Sequence, residues 1–181
     1  MSNWSRIARR IRVPLGFGVA ILYLVLAQPT RASIVAGTAI VILGLALRAI
    51  SSGHVNKNEQ LTTSGPYAYV RNPLYLGSLL MAGGFALAAR NGWIVGILAL
   101  TFLGIYLPVI YAEERFLQKQ FPEFEEYSRH VPRLLPRLHA YGDARNRFSR
   151  DLYWKHREYN ALLGAAAMVT ALVGKLCWWP R

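Results

Sequence analysis

Cysteine is almost absent from this chain of 181 residues: Cys177 is the single one, and one thiol cannot close an internal disulfide. Acid is scarce too, with 9 Asp and Glu against 21 Lys and Arg and a formal net charge of +12. No His, Cys and carboxylate spacing suits a metal, since His130 and His139 stand apart from any ligand pattern, and no metal is expected. The basic residues are not interleaved with base-stacking aromatics, which argues against a nucleic-acid partner. Ala27-Gln28-Pro29 is a poor leader-cleavage site, although Arg6, Arg9, Arg10 and Arg12 precede an apolar run. Residues 13–29 are therefore expected to remain as a first helix. Internal repeats and low-complexity linkers are also missing.

What is present is hydrophobic and arranged in blocks. The chain is 54% hydrophobic with a mean hydropathy of +0.23, two values hard to reconcile with +12 charges in a soluble domain. Apolar stretches at 13–29, 32–50, 74–89, 92–112 and 160–179 alternate with polar, basic ones. A spanning helix takes about 20 mostly apolar residues. The pattern thus predicts an all-α polytopic membrane protein with about five transmembrane helices. Residues 74–89 and 92–112, joined by Arg90-Asn91-Gly92, are expected to form a tight helical hairpin, with Gly83-Gly84 allowing close approach. Arg48 lies where its long stem can reach the interface, and Trp178-Trp179 form an interfacial aromatic pair.

Counting Lys and Arg by side sets the orientation. With a cytoplasmic N-terminus, residues 1–12, 51–73 and 113–159 lie inside. The outer side then keeps Arg31, Arg90, Lys175 and Arg181. A multi-pass protein of a prokaryotic inner membrane is expected, as one membrane domain over 1–181. It divides into two N-terminal spans (1–50), a polar core region (51–137), and a basic linker with a C-terminal span (138–181). Both long polar segments then share one face, where they can meet.

The first polar segment carries Gly65-Pro66, a turn signal, and Asn72-Pro73, where proline holds Asn72 extended before a new helix. Irregular backbone at a bilayer edge persists where protein or a wet cavity satisfies it, leaving amides and carbonyls to offer a ligand. The second segment begins with Glu113-Glu114, two carboxylates at the end of a span that are costly unless hydrated or partnered. A short interfacial helix is expected around 121–130, followed by an extended stretch at Val131–Pro136. Glu123, Glu125 and Glu126 read as a solvated face pairing with Arg129 and Arg133. Tyr69 reads as an interfacial aromatic, and the Arg run from 145 to 157 as contact with anionic lipid.

The blocks Leu61-x-Thr63-x-Gly65-Pro66-Tyr67, Arg71-Asn72-Pro73-x-Tyr75-x-Gly77, Glu113-Glu114-x-x-Leu117 and Val131-Pro132-Arg133-x-x-Pro136 resemble the isoprenylcysteine carboxyl methyltransferase family. That family belongs with the membrane phospholipid methyltransferases. The resemblance covers residues 48–137 and implies S-adenosyl-L-methionine as methyl donor, in a cytoplasmic-side cofactor pocket made by the two polar segments. It implies cofactor contacts at Leu61, Thr62, Tyr67, Asn72, Pro73, Leu74, Tyr75 and Glu113, with Glu59, Gln60 and Lys57 added. Arg71 and Glu113 carry the catalytic assignment, and His54 and Arg48 are candidates for lining the substrate end.

The chemistry of these residue types suits that donor. A carboxylate accepts from hydroxyls or an ammonium, and Asn72, Tyr75, Arg71 or Lys57 can meet a carboxylate. Methyl transfer is an in-line displacement that mostly needs positioning. The family usually has His where this chain has Asn72, which donates a hydrogen bond but shuttles no proton. Val109 stands where eukaryotic members place a substrate-contacting Arg. The expected acceptor is a small lipophilic molecule or lipid entering from the bilayer, with carboxylate, thiol, amine and phospholipid headgroup all open. The oligomeric state is open as well. Two other readings are an NADPH-dependent membrane reductase related to sterol reductases and a non-catalytic lipid-binding member of the scaffold.

Overall fold

Each apolar block folds as a helix, and the boundaries follow local chemistry. The computed structural model describes residues 3–55, 60–142 and 147–178. Among the described residues there are seven α-helices and no strand: α1 Asn3–Leu26, α2 Arg31–Ser52, α3 Pro73–Ala89, α4 Gly92–Gln120, α5 Phe124–His130, α6 Arg150–Lys155 and α7 Tyr159–Trp178. A single 3-10 turn covers Gly65–Ala68, and a π-helical stretch, Phe102–Tyr106, lies within α4.

Helices α2, α4 and α7 are long and apolar enough to cross a membrane, and the apolar parts Pro14–Leu26 of α1 and Pro73–Ala89 of α3 are shorter. Large apolar side chains point outward along these rods, including Phe17, Val35, Leu43, Leu100 and Leu163. A helix apolar on all sides of a thin bundle belongs in lipid. Two boundaries differ from the sequence reading. Helix α1 begins at Asn3 and not near residue 13, so the Arg-rich stretch is helical backbone and not a leading arm. Helix α4 runs past Ala112 to Gln120 and carries Glu113 and Glu114 on its last turns. A helix of six residues, α6, also interrupts the expected basic linker.

Helix α2 starts in a capping box: Thr30 accepts from the Ser33 amide at 3.2 Å while Ser33 Oγ accepts from the Thr30 amide at 2.9 Å. Pro73 opens α3, where its missing N–H costs nothing. Arg90, left-handed at φ 50°, ends α3, and Asn91 caps α4 through the Trp93 amide at 2.9 Å. The turn between α3 and α4 is thus as short as expected.

The tightest packing, however, joins α2 to α3. A Cβ on Gly44 would lie 2.6 Å from the Gly77 carbonyl oxygen, and one on Gly84 would lie 2.5 Å from that of Gly37. Gly37, with Gly84 and Ala88 against it, completes a seam in which backbone meets backbone. Of the Gly83-Gly84 pair, Gly84 lies in this seam and Gly83 faces open space. The far end of the bundle is closed by donors on helix-end carbonyls. Lys175 Nζ reaches Leu24 O at 2.6 Å and Val25 O at 2.9 Å, Asn91 Nδ2 reaches Leu26 O at 2.8 Å, and Tyr23 donates to Phe85 O at 2.8 Å.

Overpacking of a tight core costs about 1–3 kcal/mol or more. Gly37→Val is therefore expected to lower the melting temperature of the detergent-solubilised protein clearly, whereas Gly83→Ala leaves it unchanged or slightly raised.

Candidate active site

Two polar stretches, residues 60–72 and 131–141, have little regular structure of their own. They hold each other through backbone bonds: Arg71 N to Pro132 O at 2.9 Å, Arg137 N to Tyr69 O at 2.9 Å, and Tyr141 N to Ala68 O at 3.0 Å. Tyr127 of α5 donates its hydroxyl to Tyr67 O at 2.7 Å in a buried bond. Burial chiefly, with the opposing pull of Arg71 second, sets the Tyr127 phenol well above its ordinary value and keeps it a donor.

Glu114 ties the assembly together. Its Oε1 accepts from Asn72 Nδ2 at 2.8 Å, and its Oε2 accepts from Arg133 Nε at 2.9 Å with Nη2 at 2.8 Å. Arg71 Nη1 lies 3.5 Å from the same oxygen. The Glu114 side chain is 9% exposed, so charge and desolvation balance only because cations and an amide surround it. Asn72 Nδ2 also donates to Arg133 O at 3.2 Å, which commits both of its amide hydrogens. The Arg133 guanidinium lies 4.3 Å from the centre of the Tyr111 ring. Its hydrogen bond to Glu114 raises its pKa against the effect of burial. Arg133 had been expected to pair with the solvated acidic face of α5. There Arg129 does pair with Glu125, at 2.6 Å on the surface, but Arg133 turns inward to Glu114.

Glu113, its neighbour, points elsewhere. The 100° step of a helix puts successive residues on different faces. Glu113 is half-buried and has neither an ion pair nor a hydrogen bond among the described residues. It lies close enough to Tyr67 to affect its phenol. Burial pushes that phenol up most, Tyr127, Glu158 and Glu113 add to the rise, and Arg48 opposes it. Thr62 Oγ1, Ser64 Oγ and Arg71 Nε are buried and have no hydrogen-bond partner among the described residues. An unmatched buried polar atom costs about 1–3 kcal/mol, so these three leave the stretch before α3 with unspent hydrogen-bonding capacity.

The other expected site residues are distributed as follows. Leu61 packs on the Phe124, Tyr127 and Val131 cluster, and Gln60 is exposed. Leu74 offers its carbonyl to Arg48 Nη1 at 3.3 Å and to Ser78 Oγ at 3.0 Å. The Tyr75 ring meets Tyr106 of the π-helical stretch edge-on at 6.1 Å. His54 shares a hydrogen bond with Ile50 O at 2.8 Å and sits against Gly65, where a Cβ would lie 2.6 Å from its ring. Gly65, at φ 57°, is thereby required both for its backbone and for the space it leaves. Arg48 is bound to Glu158, with Nη2 at 2.8 and 2.9 Å and Nε at 3.1 Å, and to Ser78 Oγ at 2.6 Å. Tyr69 is exposed, as expected of an interfacial aromatic. Lys57 and Glu59 lie outside the described residues. Three residues missed from sequence stand out: Glu114, Ser64 and Glu158. The Glu113-Glu114 doublet held a signal for the first, since adjacent helical residues cannot share one role. Nothing local marked the other two.

Comparison with known proteins gives this architecture a family. The phospholipid methyltransferase family matches residues 33–123, from α2 through α4 and the loop between α2 and α3. The chain belongs to that family of membrane methyltransferases. It is similar to the cobalt-zinc-cadmium resistance protein CzcN of Cupriavidus metallidurans, 45% identical over 47% of this chain and 39% of that protein. It is also similar to the nickel-cobalt-cadmium resistance protein NccN of Alcaligenes xylosoxydans xylosoxydans, 38% identical over 45% of this chain and 38% of that one. The protein-S-isoprenylcysteine O-methyltransferase of Schizosaccharomyces pombe is 31% identical over 65% of this chain and 48% of its own length. The matched stretches thus span less than half of each of these relatives. No solved structure gives a significant match.

Breaking a buried ion pair from one side costs about 3–5 kcal/mol. Glu114→Ala is expected to lower thermal stability in detergent severely, while Glu113→Ala leaves it near wild type. Equal losses from the two variants would contradict the division of roles.

Proposed function

We propose that this protein is an S-adenosylmethionine-dependent methyltransferase that acts, from the cytoplasmic side of a prokaryotic inner membrane, on a lipophilic acceptor reaching it through the bilayer. The observation that carries the reading is the unpaired Glu113 carboxylate beside Tyr67 and the buried, unmatched atoms of Thr62, Ser64 and Arg71. This donor set fits the cofactor. A carboxylate accepts from a ribose diol or an α-ammonium, and the Arg71 guanidinium meets an α-carboxylate. The motif residues Pro73, Leu74 and Tyr75 border the same pocket in this reading. Lys57, Glu59 and Gln60 belong to it by the family resemblance.

When bound, the cofactor supplies an electrophilic methyl group on a sulfonium. The rest is positioning by the chain. Glu114, Asn72 and Arg133 hold the loop that carries Tyr67 and Thr62, so the loop's donors stand in place before a ligand arrives. Such preorganisation is the main lever for an in-line transfer, worth up to about 7–11 kcal/mol in favourable cases. Asn72 is spent on Glu114 and holds no mobile proton, so a proton from the acceptor passes to another base or to water.

Five spans with a cytoplasmic N-terminus put residues 60–72 and 131–141 on the same side, and their mutual hydrogen bonds support one shared face. Single cysteines introduced at Thr63 and Ser128, in a Cys177→Ser background, are expected to label from the cytoplasmic side alone. Labelling of the two from opposite sides would end the topology.

Full-length protein in detergent should bind S-adenosylhomocysteine, measured by calorimetry. Because hydrogen bonds to charged groups are worth about 1.5–3 kcal/mol, Glu113→Ala should weaken binding by about tenfold or more. Thr62→Val should weaken it less. No binding by wild type, or binding displaced by NADPH, would refute the donor assignment.

A further inference from the structure

The family match ends at residue 123, yet a later segment closes on the site from the side of α2. Ser149 N donates to Gly53 O at 2.9 Å, and His156 Nδ1 lies 3.2 Å from Ser52 O. Both contacts fall on the last carbonyls of α2, groups that a helix end leaves without internal partners. The Phe148 ring covers Gly53 so closely that a Cβ there would strike it, and meets the His54 ring edge-on at 6.2 Å. His54 in turn covers Gly65 at the head of the 3-10 turn bearing Tyr67. Phe148, His54 and Gly65 therefore form one stack, from the late segment to the loop.

A second brace runs beside the first. Arg157, left-handed at φ 53°, reverses the chain between α6 and α7 and delivers Glu158 to Arg48. Arg48 makes five hydrogen bonds: three to Glu158, one to Ser78 and one to the Leu74 carbonyl. The pair joins α2, α3 and the start of α7 where the polar loop leaves α2 and returns as α3. A charged residue at this depth needs a reason beyond packing. A guanidinium whose three nitrogens all hold protein partners is suited to support the site and not to grip a ligand.

We propose that residues 147–158, beyond the family's matching region, are a working part of the methyl-donor site, with Phe148 and Glu158 as positioning residues for the loop of Tyr67. This rests on the donor assignment made above. Residues 60–64 lack regular structure and the 3-10 turn after them is short, so without the two braces the bound geometry must be ordered when the ligand arrives, and that ordering is taken from affinity. Phe148 acts through His54 and Gly65, and Glu158 acts through Arg48 and the Leu74 carbonyl.

The test uses the full chain in detergent, with S-adenosylhomocysteine as probe and two readouts: calorimetric affinity, and melting temperature with and without the probe. Phe148→Ala and Glu158→Gln are expected to weaken binding by about tenfold and to shrink the probe-induced rise in melting temperature. Melting without the probe should stay close to wild type for Phe148→Ala, whose ring is exposed, and should fall for Glu158→Gln, which leaves Arg48 without its carboxylate. Phe148→Tyr, which keeps the ring, should restore affinity. Trp93→Ala, exposed at the opposite end of the bundle, should bind like wild type. If wild type binds and both variants bind equally well, the inference is overturned and the donor assignment stands. It is overturned equally if the variants lose stability alone while the folded fraction binds normally. If wild type itself fails to bind, the donor assignment falls and the inference with it.

Discussion

One buried carboxylate organises the polar end of this protein. Glu114 comes from the end of α4, Asn72 and Arg71 from the stretch before α3, and Arg133 from the stretch after α5. These pieces are distant in sequence and two of them have no regular structure. An uncompensated charge at that burial is unstable, so the pieces are bound to meet there or not fold. The backbone bonds from Arg71 to Pro132 and from Arg137 to Tyr69 follow from that meeting and add direction to it. Remove the carboxylate, and backbone bonds and the Tyr127 hydroxyl are left to hold the two polar stretches against each other, around uncompensated cations.

The adjacent glutamates show how a helix separates structure from chemistry. Glu114 is spent inward on neighbours, whereas Glu113 keeps its valences open toward Tyr67. The same separation recurs among the cations. Arg48 and Arg133 are consumed by carboxylates, and Arg71 retains a buried, unmatched Nε. Among the described residues, the groups left with capacity to bind are few. This economy suits a site at a bilayer edge, where each unmet charge is expensive.

Much of this was readable in advance. The apolar blocks set five helices, and proline and asparagine at 72–73 set the start of α3, because both signals act locally. The motif blocks fall on the loop that Glu114 holds. The sequence could not show that Gly37 and Gly44, spread along α2, would face Gly84 and Gly77, making α2–α3 the tight pair where α3–α4 was expected. Glycine spacing permits close approach without naming a partner. Nor could it reveal the inward turn of Arg133, since an acidic face on the preceding short helix offered an equally plausible mate on charge alone. Glu158 lay behind a stretch that read as positive-inside charge, and only tertiary contact distinguishes it.

The glycine seam also has a mechanical side. With carbonyls of one helix set into the gaps of the other, α2 and α3 cannot slide past each other. At 1.5 Å per residue, the 17 residues of α3 rise about 26 Å, and the 22 of α2 about 33 Å. In the proposed topology this mismatched couple must tilt as one body or draw the surrounding leaflet thinner along its shorter member. A thinned leaflet would carry lipid headgroups inward toward Pro73 and Tyr75. The length of a backbone contact deep in the hydrocarbon would then set how near a membrane-dissolved molecule comes to the polar loop.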